Sequence, residues 1–181
     1  MAGSQYDPAG GEMSRMAADP QTVRVLFVCT GNICRSPTAE GVFRAMVDAC
    51  GLAGRIEADS AGTGGWHEGE PPDERAQQAA LMRGIDISGQ RARAVADADF
   101  DDFDLIVALD RGHQRSLLAM CPAEARPRLH LLMDFAPHVG VSDVPDPYYG
   151  AFGGFDRVLD LIEAGADGLL RAIREVYLRK G

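Results

Sequence analysis

The sequence is poor in what membranes, nucleic acids and oxidising compartments demand. No apolar run in its 181 residues approaches the roughly 20 needed to cross a bilayer. Its first residues lack the apolar block of a signal peptide, so the expected location is cytoplasmic, with no membrane partner. Basic residues are outnumbered, 18 Lys and Arg against 27 Asp and Glu, for a formal charge of -9. With no basic stripe to override that charge, a nucleic-acid partner is not expected. Only four cysteines are present, Cys29, Cys34, Cys50 and Cys121, too few for a disulfide framework in a chain this size. They are expected to be thiols. Cys50 lies in an apolar helical stripe and reads as structural. The spacer between Cys29 and Cys34 is followed by no Cys or His pair at zinc-finger spacing, so no metal or other cofactor is expected.

What is present, at 46% hydrophobic and 25% charged residues, suits one buried core. Residues 1–21 mix glycine, proline and small polar residues without period and read as a flexible tail, leaving 22–181 as the domain. Residues 23–28 read as a buried strand, and Ala39, Val42, Phe43, Met46, Val47 and Cys50 recur at helical spacing. Further strands are expected over 56–61, 105–109 and 129–132. Pro72 is placed to open a helix that Gly84 closes, and Asp110 to cap another. Residues 134–154 read as a long loop, of the kind that is usually functional. Phe155, Val158, Leu159, Ile162, Leu169, Leu170, Ile173 and Tyr177 form one face of a C-terminal helix, despite Gly165 and Gly168. The expected fold is α/β: a single domain with a central four-stranded parallel sheet flanked by helices, flavodoxin-like and Rossmann-type. Such sheets bind ligands beyond the carboxyl ends of their strands.

The loop after the first strand reads Cys29-Thr30-Gly31-Asn32-Ile33-Cys34-Arg35-Ser36-Pro37. Gly31 and Asn32 tolerate left-handed backbone angles, which lets successive N–H groups turn inward as an anion nest. Ser36 suits a helix cap and Pro37 a first helical turn, so a positive helix end faces the same hollow. Arg35 adds a fork matched to two phosphate oxygens. Cys29 would lie beneath the anion, where the same field stabilises a thiolate. A phosphate dianion beside a thiolate brings about three negative charges together, which nest, helix end and Arg35 offset.

This loop, the Asp59-Ser60-Ala61-Gly62-Thr63 run and Asp146-Pro147-Tyr148-Tyr149-Gly150 resemble, in order and spacing, the low-molecular-weight protein tyrosine phosphatases, over about residues 23–180. The resemblance implies that Cys29 carries the phosphoryl group as a cysteinyl-phosphate, that Arg35 grips its oxygens and that Asp146 serves as acid and then base. Thr30, Gly31, Asn32, Ile33 and Cys34 complete the loop. Ser36 would hydrogen-bond the sulfur, Ser60 would support Asn32, and Asp110 would orient Arg35. Trp66, Tyr148 and Tyr149, with Ile33, would wall a slot for an aromatic ring. The expected partner is a phosphotyrosine-containing protein, and a tyrosine kinase acting on Tyr148 or Tyr149 is a further one. Cys34 would form a reversible disulfide with Cys29. Many relatives carry a histidine near position 90, where this chain has Gly89-Gln90-Arg91, so loop support is expected to be built differently. His67, His113, His130 and His138 read as surface or packing residues. Three other readings compete. An arsenate reductase of this fold needs two further cysteines on a mobile segment, and only Cys50 and Cys121, far apart, are available. A protein arginine phosphatase carries threonine at a position like that of Ile33. A silent phosphate-binding module would dispense with Cys29 or Asp146.

Overall fold

Seven consecutive residues, Val23–Cys29, form the first strand, β1, and from Val25 onward its apolar run is unbroken because both of its faces are covered. Val25, Phe27 and Cys29 point to one side, Leu26 and Val28 to the other, as the two-residue period of a strand requires. The computed structural model describes residues 22–148 and 154–179. The expected N-terminal tail, Tyr149 and Gly150 lie outside them.

Around β1 the chain lays down α1 (Arg35–Ala49), β2 (Ile56–Gly62), α2 (Glu74–Leu81), the single turn α3 (Asp99–Asp102), β3 (Leu105–Ala108), α4 (Arg111–Met120), β4 (Leu129–Leu131) and α5 (Gly154–Val176). The four strands are parallel and ordered β2-β1-β3-β4, so the expected four-stranded sheet between helices is observed in one domain. One layer packs β1 and β3 against α1 and α5, with Phe27 and Phe43 edge to face at 5.5 Å. The other packs Leu26, Val28 and Ile106 against Phe100, Phe103 and Leu117. Burying a side chain such as Phe27 is worth about 1.5–3 kcal/mol, and its truncation to alanine would cost about 3–5 kcal/mol with the cavity included. Between β1 and β3 the strand order reverses, so the loops leaving their carboxyl ends diverge and open a crevice there.

Several sequence expectations change in detail. Helix α1 begins at Arg35, and Cys34 stands at its cap position without a side-chain cap, so Ser36 is not the cap. Its hydroxyl is engaged with Cys29 and Asn32 instead, which leaves the first-turn N–H groups of α1 available to a ligand. Helix α2 is capped by Asp73, which accepts from the Arg75 N–H, so Pro72 lies two residues before the first helical position rather than at it. Cys50 is exposed at the end of α1 rather than part of the apolar stripe. Tyr177 lies past the end of α5 and is 42% exposed, so it leaves the buried face formed by Val158, Leu159, Ile162, Leu169, Leu170 and Ile173. The stretch expected as a long loop starts with two short 3-10 turns, ending at Phe135 and Val139. They carry the surface that meets α5: a Cβ on Gly165 would come within 2.6 Å of Leu132 Cγ, and one on Gly168 would overlap the Phe135 carbonyl. These two glycines permit that close approach.

Candidate active site

The loop after β1 enters the crevice at the carboxyl end of the strand. Asn32 takes the left-handed turn, with φ of 56°, and it is the only non-glycine among the described residues with positive φ. Gly31 does not share that conformation. Its missing Cβ leaves room for His67, whose Cδ2 would lie 3.0 Å away. Asn32 is 3% exposed and fully engaged. Its Nδ2 donates to Ser36 Oγ at 2.8 Å and Ser60 Oγ at 2.9 Å, and its Oδ1 accepts from the Arg93 N–H at 3.0 Å. The last bond answers the departure near position 90. The segment following α2 reaches the loop through Arg93, whose guanidinium is clamped by Asp59 and buried Asp99, while Gln90 Nε2 donates to the Pro37 carbonyl at 2.9 Å.

The run at 59–63 braces the other flank. The Thr63 N–H donates to the Cys29 carbonyl at 2.8 Å and the Gly64 N–H to Thr30 at 3.1 Å. A Cβ on Gly62 would meet the Thr30 carbonyl at 2.6 Å, so this approach needs glycine. Cys29 is 3% exposed, and its Sγ lies 2.9 Å from Ser36 Oγ. Because Asn32 donates to that oxygen, the serine proton is free to point at the sulfur, which favours negative charge there. Cys34 is also a buried free thiol, pushed up to about 12 by burial first and then by the charges of Asp73, Cys29 and Asp146. It therefore stays protonated beside Cys29.

Arg35 is 5% exposed. Its Nη1 donates to Asp110 Oδ2 at 2.8 Å and to the Val144 carbonyl at 3.0 Å, and Nη2 lies 3.6 Å from Asp146 Oδ2. Asp110 serves twice, holding Arg35 and capping α4 through the His113 N–H at 2.8 Å. Asp146 is 46% exposed at the mouth of the crevice, with Oδ1 accepting from the Tyr148 N–H at 2.9 Å. Its loop is anchored by fully buried Val144, whose N–H donates to the Leu109 carbonyl at 2.9 Å. Arg75 joins the rims. It donates to the Tyr148 carbonyl at 3.3 Å and lies 5.4 Å over the Tyr148 ring, while neighbouring Asp73 donates its N–H to the Ile33 carbonyl at 2.7 Å. Trp66 is 72% exposed, with its ring folded over Gly64.

Sequence reasoning missed Val144, Arg93 and His113. The first two act through backbone groups, which no residue type announces. His113, expected as a surface or packing residue, is buried with Nε2 at 2.9 Å from Thr30 Oγ1 and 3.3 Å from Arg35 Nη2. Burial first, then the Arg35 charge, lowers its pKa to about 4. A signal for it exists: Asp110-x-x-His113 on the first turn after a strand places the ring beside the capping carboxylate. The Cys121 thiol donates to the Pro122 carbonyl at 3.2 Å.

By charge and geometry the hollow between Cys29, Arg35 and the start of α1 could hold a tetrahedral anion, with a carboxylate at the entrance. Known proteins share this fold and much of this sequence. The sequence model of the low molecular weight phosphotyrosine protein phosphatases matches residues 24–178. A low molecular weight protein-tyrosine-phosphatase of Streptomyces coelicolor is 50% identical over 157 residues, 85% of this chain and 95% of its own. The crystal structure of YfkJ from Bacillus subtilis superposes with a TM-score of 0.81 at 45% identity, covering 85% of this chain and 96% of that one. A protein tyrosine phosphatase from Entamoeba histolytica gives 0.82 at 37% identity, covering 85% and 98%.

Proposed function

The chain belongs to the low molecular weight phosphotyrosine protein phosphatases, and on that premise we propose a two-step hydrolysis in which Cys29 is the nucleophile, Arg35 the phosphate clamp and Asp146 the acid and then the base. The protein is a hydrolase acting on phosphotyrosine-containing protein. In the first step the Cys29 thiolate attacks phosphorus, the P–O bond to the phenol breaks, and Asp146 gives its proton to the departing oxygen. In the second, Asp146 takes a proton from water, the water oxygen attacks phosphorus, and the P–S bond breaks to release phosphate and thiolate. Ser36 donates to the departing sulfur. Arg35 and the first-turn N–H groups of α1 meet the charge on the equatorial oxygens.

The observation that carries this reading is the meeting of Cys29 Sγ, Ser36 Oγ and the Arg35 fork in one hollow, with Asp146 3.6 Å from the Arg35 nitrogen at its entrance. Partial exposure of Asp146 suits its second task, since water must reach it. Ile33 and the paired Tyr148 and Tyr149 support a tyrosyl phosphoester rather than an arginyl phosphoramidate as the substrate. Tyr148 is 39% exposed, which supports the accompanying proposal that a tyrosine kinase modifies it or Tyr149. Among the described residues no helix is long and apolar enough to cross a membrane, and we propose a cytoplasmic site of action. Purified protein should release phosphate from a phosphotyrosyl peptide in excess chelator, and Cys29→Ser should end turnover while inorganic phosphate still binds. Turnover retained by Cys29→Ser removes the nucleophile, and turnover lost to chelator removes the metal-free step.

A further inference from the structure

A guanidinium carries five N–H donors, and the structure commits three of those on Arg35: two on Nη1 to Asp110 and Val144, and one on Nη2 to His113 Nε2. Because Arg35 never gives up its protons, the imidazole nitrogen facing it is the acceptor, and the ring proton lies on Nδ1. That nitrogen is 3.2 Å from Asp110 Oδ1, at an angle that makes the contact electrostatic rather than a full hydrogen bond. The opposite tautomer would set N–H against N–H at Arg35 and a bare lone pair against the Asp110 carboxylate. Among the described residues, what remains of the Arg35 donors is Nε–H and one Nη2–H, the side-by-side pair that can grip two phosphate oxygens.

We infer that His113 is a positioning residue of the phosphatase reaction, with Nε2 fixing the rotation of the Arg35 guanidinium so that its free edge faces the bound phosphoryl group. The inference rests on the function proposed above. Arg35 has a long flexible stem, and a clamp at Nη1 alone leaves the plane free to pivot about that end. His113 supplies the second point of contact, and its 2.9 Å link to Thr30 Oγ1 ties the clamp to the nucleophile's own loop. An ordinary packed histidine would meet apolar neighbours or backbone, whereas the polar side chains on this ring belong to Thr30, Arg35 and Asp110, all within the site. With its pKa lowered to about 4, the ring stays neutral and able to accept throughout the neutral range.

Two variants separate positioning from packing. His113→Leu fills most of the space without an acceptor, and His113→Gln returns an acceptor oxygen close to the Nε2 position. Each is checked for folding by circular dichroism, then for inorganic phosphate affinity and for kcat and KM on a phosphotyrosyl peptide. His113→Leu should lower kcat/KM about 10- to 100-fold and weaken phosphate binding, while His113→Gln should stay within about fivefold of the parent. Protonation of His113 below about pH 4 turns Nε2 into a donor, so the parent should lose phosphate affinity there relative to His113→Gln. Asp110, Asp143, Asp146 and Arg35, the charged groups around the ring, are common to both proteins and cancel in that ratio. Parent-like behaviour of His113→Leu, or equal impairment of both variants, overturns the inference. Should the leucine variant not fold, parallel phosphate-affinity curves for parent and His113→Gln overturn it instead. Phosphate affinity is read without turnover, so an inactive parent would defeat the proposed function and leave this comparison standing.

Discussion

Replacing Ser36 with alanine deletes a single oxygen from the most buried part of the site, and its consequences can be worked out step by step. That oxygen lies 2.9 Å from Cys29 Sγ, 2.8 Å from Asn32 Nδ2 and 3.4 Å from the Ala61 carbonyl. Asn32 is the donor in the second contact, so the single hydroxyl proton divides between sulfur and carbonyl, and the shorter contact goes to the thiolate. A hydrogen bond to a charged group is worth about 1.5–3 kcal/mol, which corresponds to about 10- to 150-fold in rate. The loss should fall mainly on the second step, where sulfur departs and its negative charge grows. In the first step the thiolate is already formed, and a less stabilised thiolate attacks no more slowly. Stopped-flow hydrolysis of p-nitrophenyl phosphate by Ser36→Ala should therefore show a burst of nitrophenolate equal to the enzyme concentration, followed by a slow steady state. The deleted oxygen also leaves one Asn32 N–H unpaired, and folding stability should fall by about 1–3 kcal/mol. A steady-state rate within threefold of the parent, or a slow rate without a burst, refutes the assignment of Ser36 to the leaving sulfur.

Asp146→Ala should slow esters of poorly acidic phenols about 10²- to 10⁴-fold and activated aryl esters far less, and equal slowing of both in steady-state assays would reject the acid role. Glu40 is 3% exposed, and its carboxyl is pushed up to about 8, chiefly by burial. The folded state therefore holds a proton that the unfolded state releases from about pH 4.5 upward, so stability falls as pH rises through that window. Glu40→Gln should flatten this loss, which is on the order of a few kcal/mol, in urea titrations at pH 5 and pH 8. An unchanged slope would mean that Glu40 is not the group responsible. Gly168→Ala would gain about 1 kcal/mol of helix propensity if the position were open, but Gly168 is half-buried and its Cβ would overlap the Phe135 carbonyl. Net destabilisation is expected, and a raised melting temperature would contradict the close packing of α5 against that turn.

Legibility in the sequence followed the range of the interactions. The loop between β1 and α1 is local: its nucleophile, left-handed asparagine and arginine lie within seven residues, and their chemistry is written in their types and spacing. The two central strands were equally readable, because strands covered on both faces show as apolar runs, unbroken from Val25 in β1 and throughout β3. What escaped was set by long-range geometry. Val144 reaches Arg35 across 109 positions through a carbonyl, and Arg93 reaches Asn32 across 61 through an N–H, neither of which depends on the side chain. Ser36 has the composition of a cap but is drawn inward by Asn32 and Cys29. Gly165 and Gly168 looked like weak points in α5, and only the position of the turn at Leu132–Phe135 explains them.

The proposed hydrolysis requires a phosphorus–sulfur bond formed at Cys29. Rapid mixing of Ser36→Ala with a phosphotyrosyl substrate, acid quenching within the burst and peptide mass spectrometry test it most directly. One phosphoryl group on the peptide containing Cys29, absent from the Cys29→Ser protein, is the predicted result. A burst that leaves the Cys29 peptide unmodified, or that places the phosphoryl group on another residue, would contradict it.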